Sequence, residues 1–337
     1  EKNFPVGHPY PIPSQISISA RDLFICSGIL TTPTHGLPTN RTWGFFLDHI
    51  ESLRSTSGFL RVVDDVYNWD ARLAGLFAER IGIGLAGYLL WNYYDVIQIT
   101  DAEKYIGRLN LSPTHPFYRK GLSYSGTGRY KPDFFCLTRS GESVVAESKG
   151  TIGRPGDLTT TLNHGKKQVQ SVVPVGVPLR STVNSLVFGS NLRGESDTVR
   201  SGKDSGVTIQ DPINPESAIE VALSQREMIT DGYSKIFNFI GRIDLSYQLN
   251  REGLDPLPDQ FIKQITFNRG EEKYVELQRD GGVKVGLNRK VYRLLQADDL
   301  SGSVASIIGI FHEQERQLLH TDEKSLLLPN GIIFDFS

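Results

Sequence analysis

The chain reads as an α/β protein with a mixed central sheet flanked by helices, and three observations carry that reading. Leu73, Leu76, Phe77, Ile81, Leu85 and Tyr88 recur at helical spacing within residues 68–88. Short strand-like runs follow at 95–99, 133–138 and 143–149. The last two are separated by Arg139-Ser140-Gly141-Glu142, a turn of hairpin length. A second helical stretch at 160–173 then leads into an apolar strand at 184–188.

Taken in order, residues 1–40 are rich in Pro, Ser and Thr and read as an extended arm or loop-rich lead-in. Residues 43–53 read as a helix. After the strand at 95–99, residues 108–131 form a polar loop with Pro113, Pro116 and a Gly126-Thr127-Gly128 turn. Residues 150–158 read as a loop, and Pro174 stops the helix at 160–173. Residues 189–215 are polar and read as a surface excursion. Pro215 precedes a helix at 216–240, and Pro256 and Pro258 mark a break. Residues 261–295 read as β-rich around Asp280-Gly281-Gly282, 303–319 as a helix, and 325–336 as a hairpin around Pro329-Asn330-Gly331. This gives an N-terminal arm and helical region over 1–64, a core over 65–190, and a C-terminal α+β region over 191–337.

Composition narrows the function classes. With 337 residues, 39% hydrophobic, 22% charged, 33 Gly and 17 Pro, the chain is neither disordered, collagen-like nor coiled-coil. The longest oily stretch, 81–91, is interrupted by Gly82, Gly84 and Gly87 and falls short of the roughly 18 apolar residues of a membrane span. No membrane partner is expected. The first residues lack the pattern of a secretory signal, and Cys26 and Cys136 supply no disulfide framework or zinc cluster. A cytoplasmic setting is the expectation. Net charge is −2, but it is unevenly spread: residues 104–170 carry 11 Lys/Arg against 4 Asp/Glu. One basic third can hold a local polyanion site.

The chemistry-bearing segment is Lys131-Pro132-Asp133-Phe134-Phe135-Cys136-Leu137, followed by Val144-Val145-Ala146-Glu147-Ser148-Lys149-Gly150. Asp133 opens the first hairpin strand. Glu147 and Lys149 are two apart on the second and project from the same face. The hairpin brings that face beside Asp133. Both strands are apolar yet end in charge, and buried charge is costly unless paired or metal-bound. Carboxylates without His or Cys suit a hard cation such as Mg²⁺. A lysine beside such an ion can orient an attacking water. The Ser148 carbonyl is a further candidate ligand.

Pro132-Asp133, thirteen intervening residues, and Glu147-Ser148-Lys149 resemble the signature of the PD-(D/E)xK nuclease superfamily, the restriction-endonuclease-like fold. The order helix, three strands, helix, strand over 65–190 resembles that family's αβββαβ core. The resemblance implies metal-dependent phosphodiester hydrolysis by a nuclease, with nucleic acid as partner; DNA is the expected substrate, with RNA left open. It implies Asp133 and Glu147 as catalytic metal ligands and Lys149 as the catalytic lysine, with Mg²⁺ as cofactor and Mn²⁺ as a substitute. Family members often carry another acid on the helix before the first strand, which points to Glu79. The alternative for Glu79 is a surface partner of Arg72 or Arg80. The helix at 160–173 carries His164, Lys166, Lys167 and Gln168. Of these, Lys166, Lys167 and Gln168 are candidates for nucleic-acid contact, as are Arg129 and Lys131, which interleave with Tyr124 and Tyr130 ahead of Asp133. Val172 stands four residues after Gln168, so a Q-x-x-x-Y exonuclease signature is absent and an endonuclease is favoured.

Two other readings stand beside this one. A non-catalytic nucleic-acid-binding or scaffolding subunit would use the same fold without the chemistry, and a homodimer or a partner protein subunit stays open. Gly82-Ile83-Gly84-Leu85-Ala86-Gly87 matches a dinucleotide-binding pattern, but it continues a helix rather than following a strand. Its glycines are better read as allowing close packing. His312-Glu313 lacks the second histidine of a zinc-protease helix.

Overall fold

A computed structural model describes residues 14–33, 49–56, 59–107, 109, 131–153, 156–181, 183–197, 204–212, 218–251, 253–254, 274–280, 283–296, 300–313, 320–321 and 325–336. It shows an α/β protein. The central sheet has five strands: β3 (Val96–Asp101), β4 (Phe134–Thr138), β5 (Ser143–Ile152), β7 (Ser185–Leu192) and β8 (Gly206–Gln210), side by side in that order. β3, β4 and β5 run antiparallel in succession, with the short helix α3 (Ala102–Ile106) directly after β3; β5 and β7 are parallel, and β8 returns antiparallel. The parallel step requires a crossover, and helix α4 (Gly156–Val169) supplies it, lying against β5 and β7.

Helix α2 (Ala71–Tyr93) covers the other face. The Asp70 side chain caps it by accepting from the Arg72 amide. Its glycines are contact points. A Cβ on Gly82 would lie 3.0 Å from the Gly150 Cα, and one on Gly84 would lie 2.7 Å from the Leu23 carbonyl oxygen. The dinucleotide-like pattern is therefore the interior of a packing helix. α2 is long and apolar enough by composition to cross a membrane, which the count over 81–91 did not anticipate. However, 61% of its most apolar window is buried inside the protein.

Several expectations are corrected. The N-terminal lead-in contains helix α1 (Ala20–Thr31), capped by Ser19 and buried from Asp22 to Leu30. A helix buried on nearly all sides shows no amphipathic stripe. Residues 34–48 lie outside the described residues; of the rest of the expected 43–53 helix, His49 is helical, a 3₁₀ turn follows over Ile50–Ser52, and Leu53 opens strand β1 (Leu53–Thr56), paired with β2 (Phe59–Val62). The supposed excursion at 189–215 contributes the end of β7 and all of β8 to the sheet. α4 ends at Val169, so Pro174 lies in β6 (Val172–Val175), in a two-stranded ladder with β9 (Ile219–Ala222). The expected helix at 216–240 is thus a strand followed by α5 (Gln225–Phe239).

α5 packs on β3, β4 and α1. Its fully buried Lys235 donates to the Leu30 carbonyl at 2.8 Å and pairs with Asp101 at the end of β3. Helix α6 (Ile243–Arg251) packs against α5. A second five-stranded antiparallel sheet joins β10 (Tyr274–Asp280), β11 (Val283–Asn288), β14 (Ile332–Asp335), β13 (Ser325–Leu327) and β12 (His320–Thr321). Residues 289–295, expected as strand, form helix α7 (Arg289–Leu295), because the Asn288 side chain caps its first amides. Helix α8 (Leu300–Glu313) follows.

Among the described glycines, the tightest contact lies beside the charged end of β5. A Cβ on Gly150 would fall 1.8 Å from the Ala78 carbonyl oxygen and 2.4 Å from its carbon. Backbone cannot yield as a flexible side chain can. Gly150→Ala should cost about 3 kcal/mol in denaturant unfolding, whereas Gly75→Ala, with nothing within 4 Å, should gain about 0.5–1 kcal/mol. Equal stabilities of the two variants would contradict the packing of α2 on β5.

Candidate active site

β4 and β5 enter the site as apolar strands. Phe134 to Leu137 and Val144 to Ala146 are buried, and the ladder sets Phe134 opposite Ala146. The next step outward brings Asp133 to Glu147. The Asp133 amide donates to Glu147 Oε2 at 2.8 Å, and the Ser148 amide donates to Asp133 Oδ2 at 2.9 Å. Lys149, two residues from Glu147 on the same face, pairs through Nζ with Glu147 Oε1. The three side chains predicted from the sequence therefore do converge. Glu147 is fully buried, and its Lys149 partner keeps partial exposure.

Burial dominates the electrostatics. It pushes the Asp133 carboxyl from 3.8 up to about 6, aided by the charges of Glu79 and Asp101 and opposed by Lys149 and the Ser148 amide. Burial, with Asp133 as a like-charged neighbour, also raises Glu147 well above the usual carboxylate range, against the pull of Lys149. For Lys149, burial works against the charge, but Glu147, Asp133 and Glu79 outweigh it and its ammonium is held above the ordinary lysine value. Two carboxylates thus share one ammonium in a largely desolvated setting.

α4 roofs this cluster through a residue the sequence reading overlooked. A Cβ on Gly165 would lie 2.7 Å from Val187 Cγ1, 3.4 Å from Glu147 Cγ and 3.6 Å from Lys149 Cε. A glycine inside a polar helix is the only signal in the sequence that could have marked it. Asp101 was also missed. Its carboxylate acts on Asp133 through space while bound to Lys235, a partner 134 residues away that no local pattern reveals.

The other candidates fall in different places. Glu79 is exposed on α2, next to Ala78, whose carbonyl abuts Gly150. Its charge reaches Asp133, Lys149 and Arg80, so it acts on the cluster by its field. Of the α2 glycines nearest Glu79, Gly82 packs against Gly150, whereas Gly75 has nothing within 4 Å. Lys131 is partly buried, with Nζ 3.6 Å from Glu103 Oε1. Lys166 is half-buried and Lys167 exposed. Gln168 is buried and faces inward, its Nε2 donating to the Lys131 carbonyl. Arg129, Tyr124 and Tyr130 lie outside the described residues.

Among the described residues no group of three or more His, Cys, Asp or Glu side chains is placed to share one metal ion. The donor set brought together at β4–β5 is the two carboxylates of Asp133 and Glu147. All-oxygen donors with one or two carboxylates fit Mg²⁺, which keeps several of its waters. Raised carboxyl pKa values also mean that added positive charge would be favourable here. Comparison with known protein families, curated proteins and solved structures finds no match.

The raised Asp133 pKa has a defined sign in stability. An acid whose folded-state pKa lies above its unfolded value of 3.8 favours folding while protonated, and loses that contribution as pH rises through about 6. Asp133→Asn keeps an acceptor for the Ser148 amide and removes the charge. Relative to wild type, its stability should be unchanged near pH 4 and higher at pH 8, by roughly 3 kcal/mol at most. Parallel melting-temperature profiles from pH 4 to 8 would refute the burial of an ionisable Asp133.

Proposed function

We propose that the protein is a metal-dependent nuclease that hydrolyses phosphodiester bonds of nucleic acid, DNA rather than RNA, as an endonuclease. The observation that carries this reading is the Asp133–Glu147–Lys149 cluster at the charged ends of two buried strands. The order α2, β3, β4, β5, α4, β7 around it, with β5 and β7 parallel, supports a restriction-endonuclease-like core. Two buried, unpaired cysteines are in keeping with a cytoplasmic setting.

Asp133 and Glu147, with the Ser148 carbonyl, would hold a divalent cation, Mg²⁺ or Mn²⁺. Such an ion, when bound, supplies positive charge against the scissile phosphate and lowers the pKa of water. The chain's own residues divide the rest. Lys149 is held protonated by its carboxylate neighbours, so it donates a hydrogen bond and positive charge and does not take a proton. Its partial exposure leaves the ammonium able to orient a nucleophilic water. Glu147 fixes Lys149 through Oε1 and the Asp133 main chain through Oε2, so one side chain sets the spacing of the other two. Gly165 keeps the roof low over both.

Purified protein incubated with plasmid DNA should cut it in Mg²⁺ or Mn²⁺ and not in EDTA. Glu147→Ala should abolish cutting, and Lys149→Ala should slow it at least about 100-fold, the scale for one positioned electrostatic group. DNA bound but never cut in any divalent metal would favour the non-catalytic subunit, and preferential cutting of RNA would reassign the substrate.

Lys166 and Lys167 on α4 carry the electrostatic part of the reading. Their double alanine variant should weaken DNA binding for all sequences alike and flatten the log–log salt dependence by about 2, one unit per lost phosphate contact. An unchanged slope would move the basic surface away from α4.

A further inference from the structure

We infer that Gln168 is a positioning residue for Asp133, acting through the main chain of Lys131, with His164 setting its amide orientation. The inference deepens the nuclease reading and rests on it.

Asp133 sits one residue before β4 begins, so the sheet ladder does not hold the chain that leads to it. Pro132 has no amide hydrogen to donate, and a residue before proline is kept extended. The segment must be fixed by other means. Its main-chain contacts include the Asp133 amide to Glu147 Oε2, the Ala102 amide to the Asp133 carbonyl at 3.0 Å, and Gln168 Nε2 to the Lys131 carbonyl. The first two act on Asp133 itself. Gln168 acts two residues upstream, from a different element.

Both ends of the Gln168 amide are engaged. Oε1 lies 3.0 Å from His164 Nδ1, one turn earlier on α4. With Nε2 donating to a carbonyl, Oε1 is the acceptor, so His164 carries a proton on Nδ1. A flipped amide would set oxygen against the Lys131 carbonyl oxygen. Between these two residues lies Gly165, over Glu147 and Lys149. One turn of α4 therefore roofs the β5 half of the cluster and grips the β4 half. A buried glutamine with both amide groups engaged internally is not a nucleic-acid contact, which revises the role its place on α4 suggested.

The test is calorimetric titration of Mn²⁺ into the full chain without nucleic acid. Gln168→Leu removes the donor at similar size. It should raise the Mn²⁺ dissociation constant about 10-fold or more, the range for residues that orient metal ligands. Saturating Mn²⁺ should largely restore the cleavage rate. His164→Ala should give a smaller shift, and the double variant should match Gln168→Leu alone, because both act through one bond. If Gln168→Leu does not fold, the His164→Ala shift carries the test. Wild-type binding with unchanged affinity in the variants would overturn the inference alone, as would a raised KM for DNA with Mn²⁺ affinity intact. A wild-type protein that takes up no Mn²⁺ would overturn both the inference and the nuclease reading.

Discussion

Asp133 and Glu147 hold each other in place across β4 and β5. The main chain of one donates to the side chain of the other, and the carboxylate of the first accepts from the residue after the second. Two desolvated carboxylates would ordinarily repel, and the Lys149 ammonium, paired with Glu147, offsets that repulsion. The remaining architecture can be understood as making this arrangement tolerable. The strands leading to it are apolar and buried, so hydrophobic burial anchors the backbone on which the charges sit.

The supports come from both faces of the sheet. On one, α2 approaches so closely at Gly150 that main chain touches main chain, which fixes the end of β5 just past Lys149. On the other, Gly165 lets α4 descend onto Glu147 and Lys149. Glycine serves in both places because any side chain would force the layers apart. Stability and site geometry thus rest on the same contacts.

The C-terminal part of the chain is tied into this core. Lys235 of α5 is fully buried, binds Asp101 at the end of β3, and donates to the last turn of α1. Lys104 and Tyr105 both reach Asp231 on the same helix. Asp101 in turn contributes to the field at Asp133. Electrostatics at the candidate site therefore includes residues from well outside the segment that carries the motif.

The hairpin of β4 and β5, the shared face of Glu147 and Lys149, and the packing role of the α2 glycines were legible in the sequence. Each depends on local rules: side chains alternate along a strand, turns have characteristic residues, and a glycine pattern within a helix cannot make a strand-to-helix phosphate loop. α1, β8 and the β6–β9 ladder were not legible. A helix buried on nearly every side has no periodic stripe, and strands this short acquire their identity from partners far away in sequence. The inward turn of Gln168, the exposure of Glu79 and the Asp101–Lys235 pair were likewise decided only by the tertiary structure. Residue type states what a side chain can bond, but which group lies opposite is set by how distant elements pack.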